Sequence, residues 1–181
     1  VPLDKIGSSD PLPVMVFIYG GSFREGTTSN PLYDARSLAA TGGVLVVTIN
    51  YRVGVLGFLS GTDGLKGNFG LMDQRLALEW VHDNIVEFGG DPDKITLFGE
   101  SAGAMSVGLH LISPESQPLF NAAIMESNPY GIPYKSIEVS KRFATILKFH
   151  LGCVLRGLAC LRAKSFQEVV EKQQSGMLPI V

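Results

Sequence analysis

Residues 95–107 read Ile95-Thr96-Leu97-Phe98-Gly99-Glu100-Ser101-Ala102-Gly103-Ala104-Met105-Ser106-Val107. Ile95–Phe98 is a largely apolar run of strand length, and Ala102–Ile112 has the composition of a helix. Between them stands the pattern G-x-S-x-G, at Gly99, Ser101 and Gly103. A serine on a sharp strand-to-helix turn is held in a strained backbone conformation. Small residues two before and two after it then avoid a clash. The turn lifts the Ser101 hydroxyl clear of the sheet, and the helix aims its N-terminal dipole and free N–H groups at the same place. The amide of Ala102 is positioned to stabilise a tetrahedral oxyanion. The bland alternative is a glycine-rich turn with a helix-capping serine, but a strand before and a helix after favour a nucleophile.

Upstream, Val14–Tyr19 reads as a buried strand that exits into Gly20-Gly21-Ser22-Phe23. Glycines there let the backbone approach a substrate and turn its amides inward, so this turn is a candidate source of another oxyanion donor, the alternative being a plain strand-exit turn. Leu32–Thr41 is a short helix stopped by Gly42-Gly43, and Val44–Ile49 a second strand. Residues 50–70 are loop-rich. Leu71–Phe88 is an amphipathic helix with Leu71, Leu78, Val81, Ile85 and Phe88 on one face, and Gly89–Asp93 turns the chain after it. Downstream, Ala122–Glu126 is a fourth strand, and Ser136–Leu151 and Ser165–Gln174 are helices. Strands alternate with helices and are apolar throughout, which predicts an α/β fold with a parallel sheet covered by helices on both faces. No linker divides residues 1–181, so one domain is expected.

Bulk properties narrow the function. The 181 residues are 45% hydrophobic and 18% charged, enough for a substantial core. The net charge of −2 comes without a basic run, which argues against a nucleic-acid partner. No apolar run is long enough to span a bilayer. No cofactor loop is present: nothing matches G-x-G-x-x-G after a strand. No metal site is expected either, because the only two cysteines, Cys153 and Cys160, lack the other ligands. A disulfide between them requires that the intervening segment not be a straight helix, whose rise over seven residues is about 10 Å. No targeting segment follows Val1, and both secreted and cytoplasmic locations stay open.

Taken together, several stretches resemble the type-B carboxylesterases, the carboxylesterase and cholinesterase branch of the α/β-hydrolases. They are Tyr19–Phe23, Asn50-Tyr51-Arg52-Val53-Gly54 with Gly57-Phe58, Gly67–Gln74, Trp80-Val81 with Asn84-Ile85, Phe88–Pro92 and Gly99–Gly103. The likeness covers roughly residues 13–161. It implies that Ser101 is the nucleophile of a small-molecule ester hydrolase acting through an acyl-enzyme. It implies that Gly21, Ser22 and Ala102 supply the oxyanion amides, and that Glu100 is a buried acidic neighbour of the site. Ser127 resembles a serine supporting the triad acid, Arg52 and Asp73 resemble a structural ion pair, and Cys153 and Cys160 fall where relatives often close a short disulfide loop. Two departures bear on substrate range: Ser22 replaces a usual glycine, and Glu126 and Asn128 flank Ser127 where relatives tend to carry Gln and Gly.

A serine hydroxyl needs a histidine to take its proton and a carboxylate to orient that histidine. His82, His110 and His150 are each better read as surface or packing residues, His110 being nine positions along the elbow helix, about 13 Å of rise from Ser101. In the resembled family the acid and histidine follow much later in the chain. Residues 1–181 are thus expected to be the central part of one α/β-hydrolase domain, without its acid or base. The remaining segments would belong to a longer chain or to another polypeptide, and the isolated piece would hydrolyse esters poorly. A catalytically inactive adhesion or scaffold relative is the alternative, and the intact motif around Ser101 speaks against it.

Overall fold

In the computed structural model, which describes residues 1–2 and 10–175, the apolar runs form four parallel strands. They are β1 (Leu12–Ile18), β2 (Leu45–Thr48), β3 (Gly90–Glu100) and β4 (Ala122–Glu126). Their spatial order is β2-β1-β3-β4. The chain leaves β1 on one side to form β2, then returns past β1 to place β3 and β4 on the other. β1 and β3 are therefore neighbours at the point where the strand order reverses. Ligands of open α/β sheets bind outside the carboxyl ends of strands at such a point. Gly20-Gly21 follows β1 there, and Ser101 follows β3.

Register sorts the side chains onto two faces, because side chains alternate along a strand and in-register partners share a face. Val14, Val16 and Ile18 pair with Ile95, Leu97 and Gly99, and Leu97 and Gly99 in turn pair with Ala123 and Met125. Helix α4 (Ala102–Ile112) lies on this face. Phe17 and Phe98 pair on the opposite face, where the Phe17 ring also meets the ring of Tyr33. Tyr33 closes a 3-10 turn at Pro31–Tyr33, just ahead of α1 (Arg36–Gly42). The first face is the drier one: Val14, Val16, Ile18, Ile95 and Leu97 are fully buried. On the second face Ile124 of the edge strand β4 remains 43% exposed.

The expected helices are present, α4 with the expected limits and the others with shifted ones. The helix placed at Leu32–Thr41 divides into the 3-10 turn and α1. The long helix is α3 (Phe69–Asn84), followed by a tighter 3-10 turn over Ile85–Phe88. Its buried stripe is Gln74, Leu78, Val81 and Ile85. Phe88 is 49% exposed and does not belong to that stripe: it ends the 3-10 turn just before the Gly89 stop, with its ring beside the half-exposed ring of Trp80. Gly90–Asp93, within the expected turn Gly89–Asp93, already belongs to β3, pairing with β1 through Leu12 opposite Gly90, and a register irregularity takes up the extra residues. Only Gly89, at φ 81°, makes the stop.

Two compact units make up the chain. The first comprises residues 1–21, 26–51 and 71–131 and holds the whole sheet, α1, α4 and all but the first residues of α3. The second comprises residues 22–25, 52–70 and Ile132 onward, with α2 (Gly54–Phe58), α5 (Ile137–His150), α6 (Gly157–Arg162) and α7 (Phe166–Ser175). Helices α2 and α6 fall in stretches that pattern alone leaves as loop. The second core is Val55, Leu147, Leu151 and Cys153, with Leu59, Phe143, Cys160, Leu161 and Val169 packed against it. A disulfide joins Cys153 to Cys160 across a Cα separation of 5.5 Å. Gly152, at φ 66°, and the loop ahead of α6 break the straight path that a helix would have imposed. Gln173 of α7 accepts the Val55 amide at 2.8 Å, which ties α7 to α2.

Helix α4 packs so closely on β1 that a side chain has no room at Gly103: an added Cβ would stand 2.0 Å from the Ile18 carbonyl oxygen. Gly103→Ala is expected to lower the unfolding free energy by about 2 kcal/mol or more, read as a drop in urea midpoint. Gly131→Ala, with nothing within 4 Å of the new methyl, is expected to leave it nearly unchanged.

Candidate active site

The candidate site is built where β3 ends. Ser101 has φ 55° and ψ −117°, the conformation of the first central residue of a type II′ turn, which glycine ordinarily fills. Its amide donates to the carbonyl of Glu126 at 3.0 Å, so the strained turn is tied to the end of β4. As the N-cap of α4 its hydroxyl makes no capping hydrogen bond. That disposes of the capping reading of this serine and leaves the hydroxyl for other work. Ala102, the first helical residue, is 2% exposed, and an amide at that position has no partner within its own helix.

The turn after β1 comes against the same place. A Cβ built on Gly20 would lie 3.1 Å from Cβ of Ser101 and 2.8 Å from both the carbonyl oxygen and Oε2 of Glu100. Only a glycine permits that approach. Gly21 follows at φ 99°. Ser22 and Phe23 belong to the second unit and also carry positive φ values, 54° and 58°. Three consecutive residues with left-handed φ turn successive amides sharply, a geometry suited to presenting N–H groups.

Tyr19 fixes the start of this turn. Its ring stacks on Tyr51 with centroids 4.6 Å apart, the Tyr51 hydroxyl donates to the Tyr19 carbonyl at 2.8 Å, and the Tyr19 hydroxyl donates to the Tyr51 carbonyl at 3.3 Å. Burial pushes both phenols above their ordinary pKa, so they stay protonated and remain donors.

Glu100 is half-buried rather than buried, and with Glu126 it lines a cavity of about 300 Å³ on the α1 face, whose walls include Phe17, Tyr33, Phe98 and Leu38. Ser127 follows β4 with φ 50°, and Asn128 donates to the Ala104 carbonyl of α4 at 3.4 Å.

The histidines serve elsewhere. His82 lies 3.4 Å from Asp83 on the outer side of α3. His150 is exposed at the end of α5, its ring edge-on to Phe149. His110 is 3% exposed and has both ring nitrogens engaged, Nδ1 at 3.0 Å from Ser116 Oγ and Nε2 at 3.0 Å from Gln74 Oε1. Burial, with the nearby Arg75 charge adding to it, pulls its pKa down to about 4, so it is neutral near pH 7. Gln74 donates in turn to Ser106 Oγ at 3.2 Å. Sequence reasoning passed over Gln74, Ser106 and Ser116. A signal was available for Gln74, a polar residue at a core position of an otherwise apolar stripe.

Residues 1–180 match the family model described as the carboxylesterase family. Curated relatives include the "Crystal protein" of Dictyostelium discoideum, 49% identical over 163 residues, which cover 90% of this chain and 29% of the relative. The cholinesterase of Mus musculus is 49% identical over 170 residues, 89% of this chain and 28% of the relative. The acetylcholinesterase of Danio rerio is 47% identical over 170 residues, 90% and 27% respectively. The chain spans less than a third of the length of these relatives.

The conformation of Ser101 carries a stability cost that is measurable directly. Ser101→Gly is expected to raise the unfolding free energy by about 1 kcal/mol through relief of strain, seen as a higher urea midpoint. Ser101→Ala retains the strain and is expected to give no such rise.

Proposed function

The chain belongs to the carboxylesterase family, and on that premise we propose that Ser101 is the nucleophile of a serine hydrolase acting on small carboxylic esters. The family and its cholinesterase relatives support ester hydrolysis in general terms. The observation that carries the specific assignment is the conformation of Ser101, a strained non-glycine residue at the strand-order reversal with its hydroxyl unused for capping.

In the proposed reaction the Ser101 oxygen attacks the ester carbonyl carbon while its proton passes to a histidine base. The carbonyl oxygen becomes an oxyanion, for which the amides of Gly21, Ser22 and Ala102 are the proposed donors. Collapse of this intermediate expels the alcohol, which takes the proton from the histidine, and leaves Ser101 acylated. Water then attacks the acyl carbonyl by the same route, releasing the acid and restoring the hydroxyl. Glu100 is the proposed electrostatic neighbour. Its carboxylate, beside the turn, favours the positive charge that a base acquires.

None of His82, His110 and His150 is proposed as the base. The first and last lie on helix surfaces, and the middle one is spent on buried hydrogen bonds. The base and its acid are proposed to come from outside residues 1–181, on a longer form of this chain or on another polypeptide. Residues 1–181 alone would then keep the nucleophile and the amides while losing several orders of magnitude in rate. The reading as an inactive scaffold gains nothing from a strained serine, since a purely structural turn would be cheaper with glycine.

A fluorophosphonate probe tests the assignment. The intact protein is expected to take up one label, mapped to Ser101, and Ser101→Ala is expected to abolish it. A label on a different residue, or none on the intact protein, contradicts the proposal.

A further inference from the structure

Four buried side chains on three different segments form one hydrogen-bonded line within the first unit. Ser116 Oγ lies 3.0 Å from His110 Nδ1, His110 Nε2 3.0 Å from Gln74 Oε1, Gln74 Nε2 3.2 Å from Ser106 Oγ, and Ser106 Oγ 3.0 Å from the Ala102 carbonyl oxygen. Gln74 and Ser106 have no exposed surface, Ser116 is 1% exposed and His110 3%. The line runs from the turn after α4, through α4 and α3, and back to the first turn of α4.

Donor counting gives the line a direction. A serine hydroxyl has one proton, and that of Ser106 goes to the Ala102 carbonyl, which can only accept. Ser106 Oγ must therefore accept from the Gln74 amide NH₂. That leaves the Gln74 carbonyl facing His110, so His110 Nε2 must carry a hydrogen. A neutral imidazole then has a bare Nδ1, which accepts from the Ser116 hydroxyl. Every bond points the same way and ends on Ala102.

We infer that His110, held as the neutral Nε2–H tautomer, is a positioning residue that aims the first turn of the elbow helix through Gln74 and Ser106. The role rests on the proposed function, since Ala102 is the residue whose amide is assigned to the oxyanion. The Ala102 carbonyl belongs to the next peptide unit along the chain. Fixing that carbonyl restrains the rotation of Ala102 and with it the direction of its N–H. A misplacement of a few tenths of an ångström at such a donor reaches the rate because donors act only over a narrow range of distance. A line of neutral groups is also suited to a dry interior: it locks the helix without burying a charge.

The test has two arms on the intact protein. Nitrogen-15 NMR of the imidazole reports the tautomer at neutral pH, and Nε2–H is expected. The Nδ1–H form would mean that the line runs the other way and would overturn the inference. The second arm is the first-order rate of Ser101 phosphonylation, separated from the probe's binding constant. Ser106→Ala, which removes one oxygen and little volume, is expected to slow that step about tenfold with the binding constant unchanged. Gln74→Leu is expected to slow it similarly, and the double substitution no further than the worse single one. Ser106→Ala that folds normally and labels at the unsubstituted rate overturns the positioning role while leaving Ser101 as nucleophile. An unsubstituted protein that takes no label overturns the ester-hydrolase reading and this role with it, a different pattern from the first.

Discussion

The first turn of α4 rests on bare main chain. A Cβ on Gly103 would come 2.0 Å from the Ile18 carbonyl oxygen, and one on Gly99 would come 2.6 Å from the Gly103 carbonyl carbon. Three backbone segments, the end of β1, the end of β3 and the start of α4, thus meet with no side chain between them. The strand-to-helix turn has to be completed in a single residue, and that residue is Ser101 at φ 55°. Without the glycines the helix would stand farther from the sheet, the turn would relax, and the serine would revert to an ordinary cap. Strain at Ser101 is thus a consequence of close packing, and the strained turn leaves its hydroxyl out of the cap of α4.

The same constraint explains how the site is held from several sides. The Ser101 amide is bound to Glu126 at the end of β4. Gly20 abuts Glu100 and Ser101 from the end of β1, and the Tyr19–Tyr51 pair holds that end against the end of β2. All four strands of the sheet support the turn at or just beyond their carboxyl ends, where the strand order reverses. A strained turn needs this redundancy, because one soft support would let it unwind toward a cheaper conformation.

Much of this was legible in the letters because it is local. Four apolar runs, the turn glycines and the G-x-S-x-G spacing each encode their own geometry within a dozen residues, and α4 and β4 have the limits that pattern predicts. Where the reading missed, long-range packing decided. Phe88 keeps helical spacing from Ile85, yet it ends the last turn beside Trp80 and stays half-exposed. Gly90–Asp93 has turn composition but is drafted into β3 by pairing with β1. The second unit draws on three separated segments, so no composition shift marks it. The Ser116–His110–Gln74–Ser106 line joins positions up to 42 apart in number, and no local pattern announces it; only the polar residue on the α3 stripe hints at it.

The central claim is that packing forces Ser101 into its turn. The main-chain conformation of Ser101, in an electron-density map fine enough to place carbonyl oxygens, tests it most directly. The account predicts a positive φ, with the serine amide on the Glu126 carbonyl and the hydroxyl turned away from the helix. A Ser101 in the ordinary helical or extended region, with its hydroxyl capping α4, would contradict it.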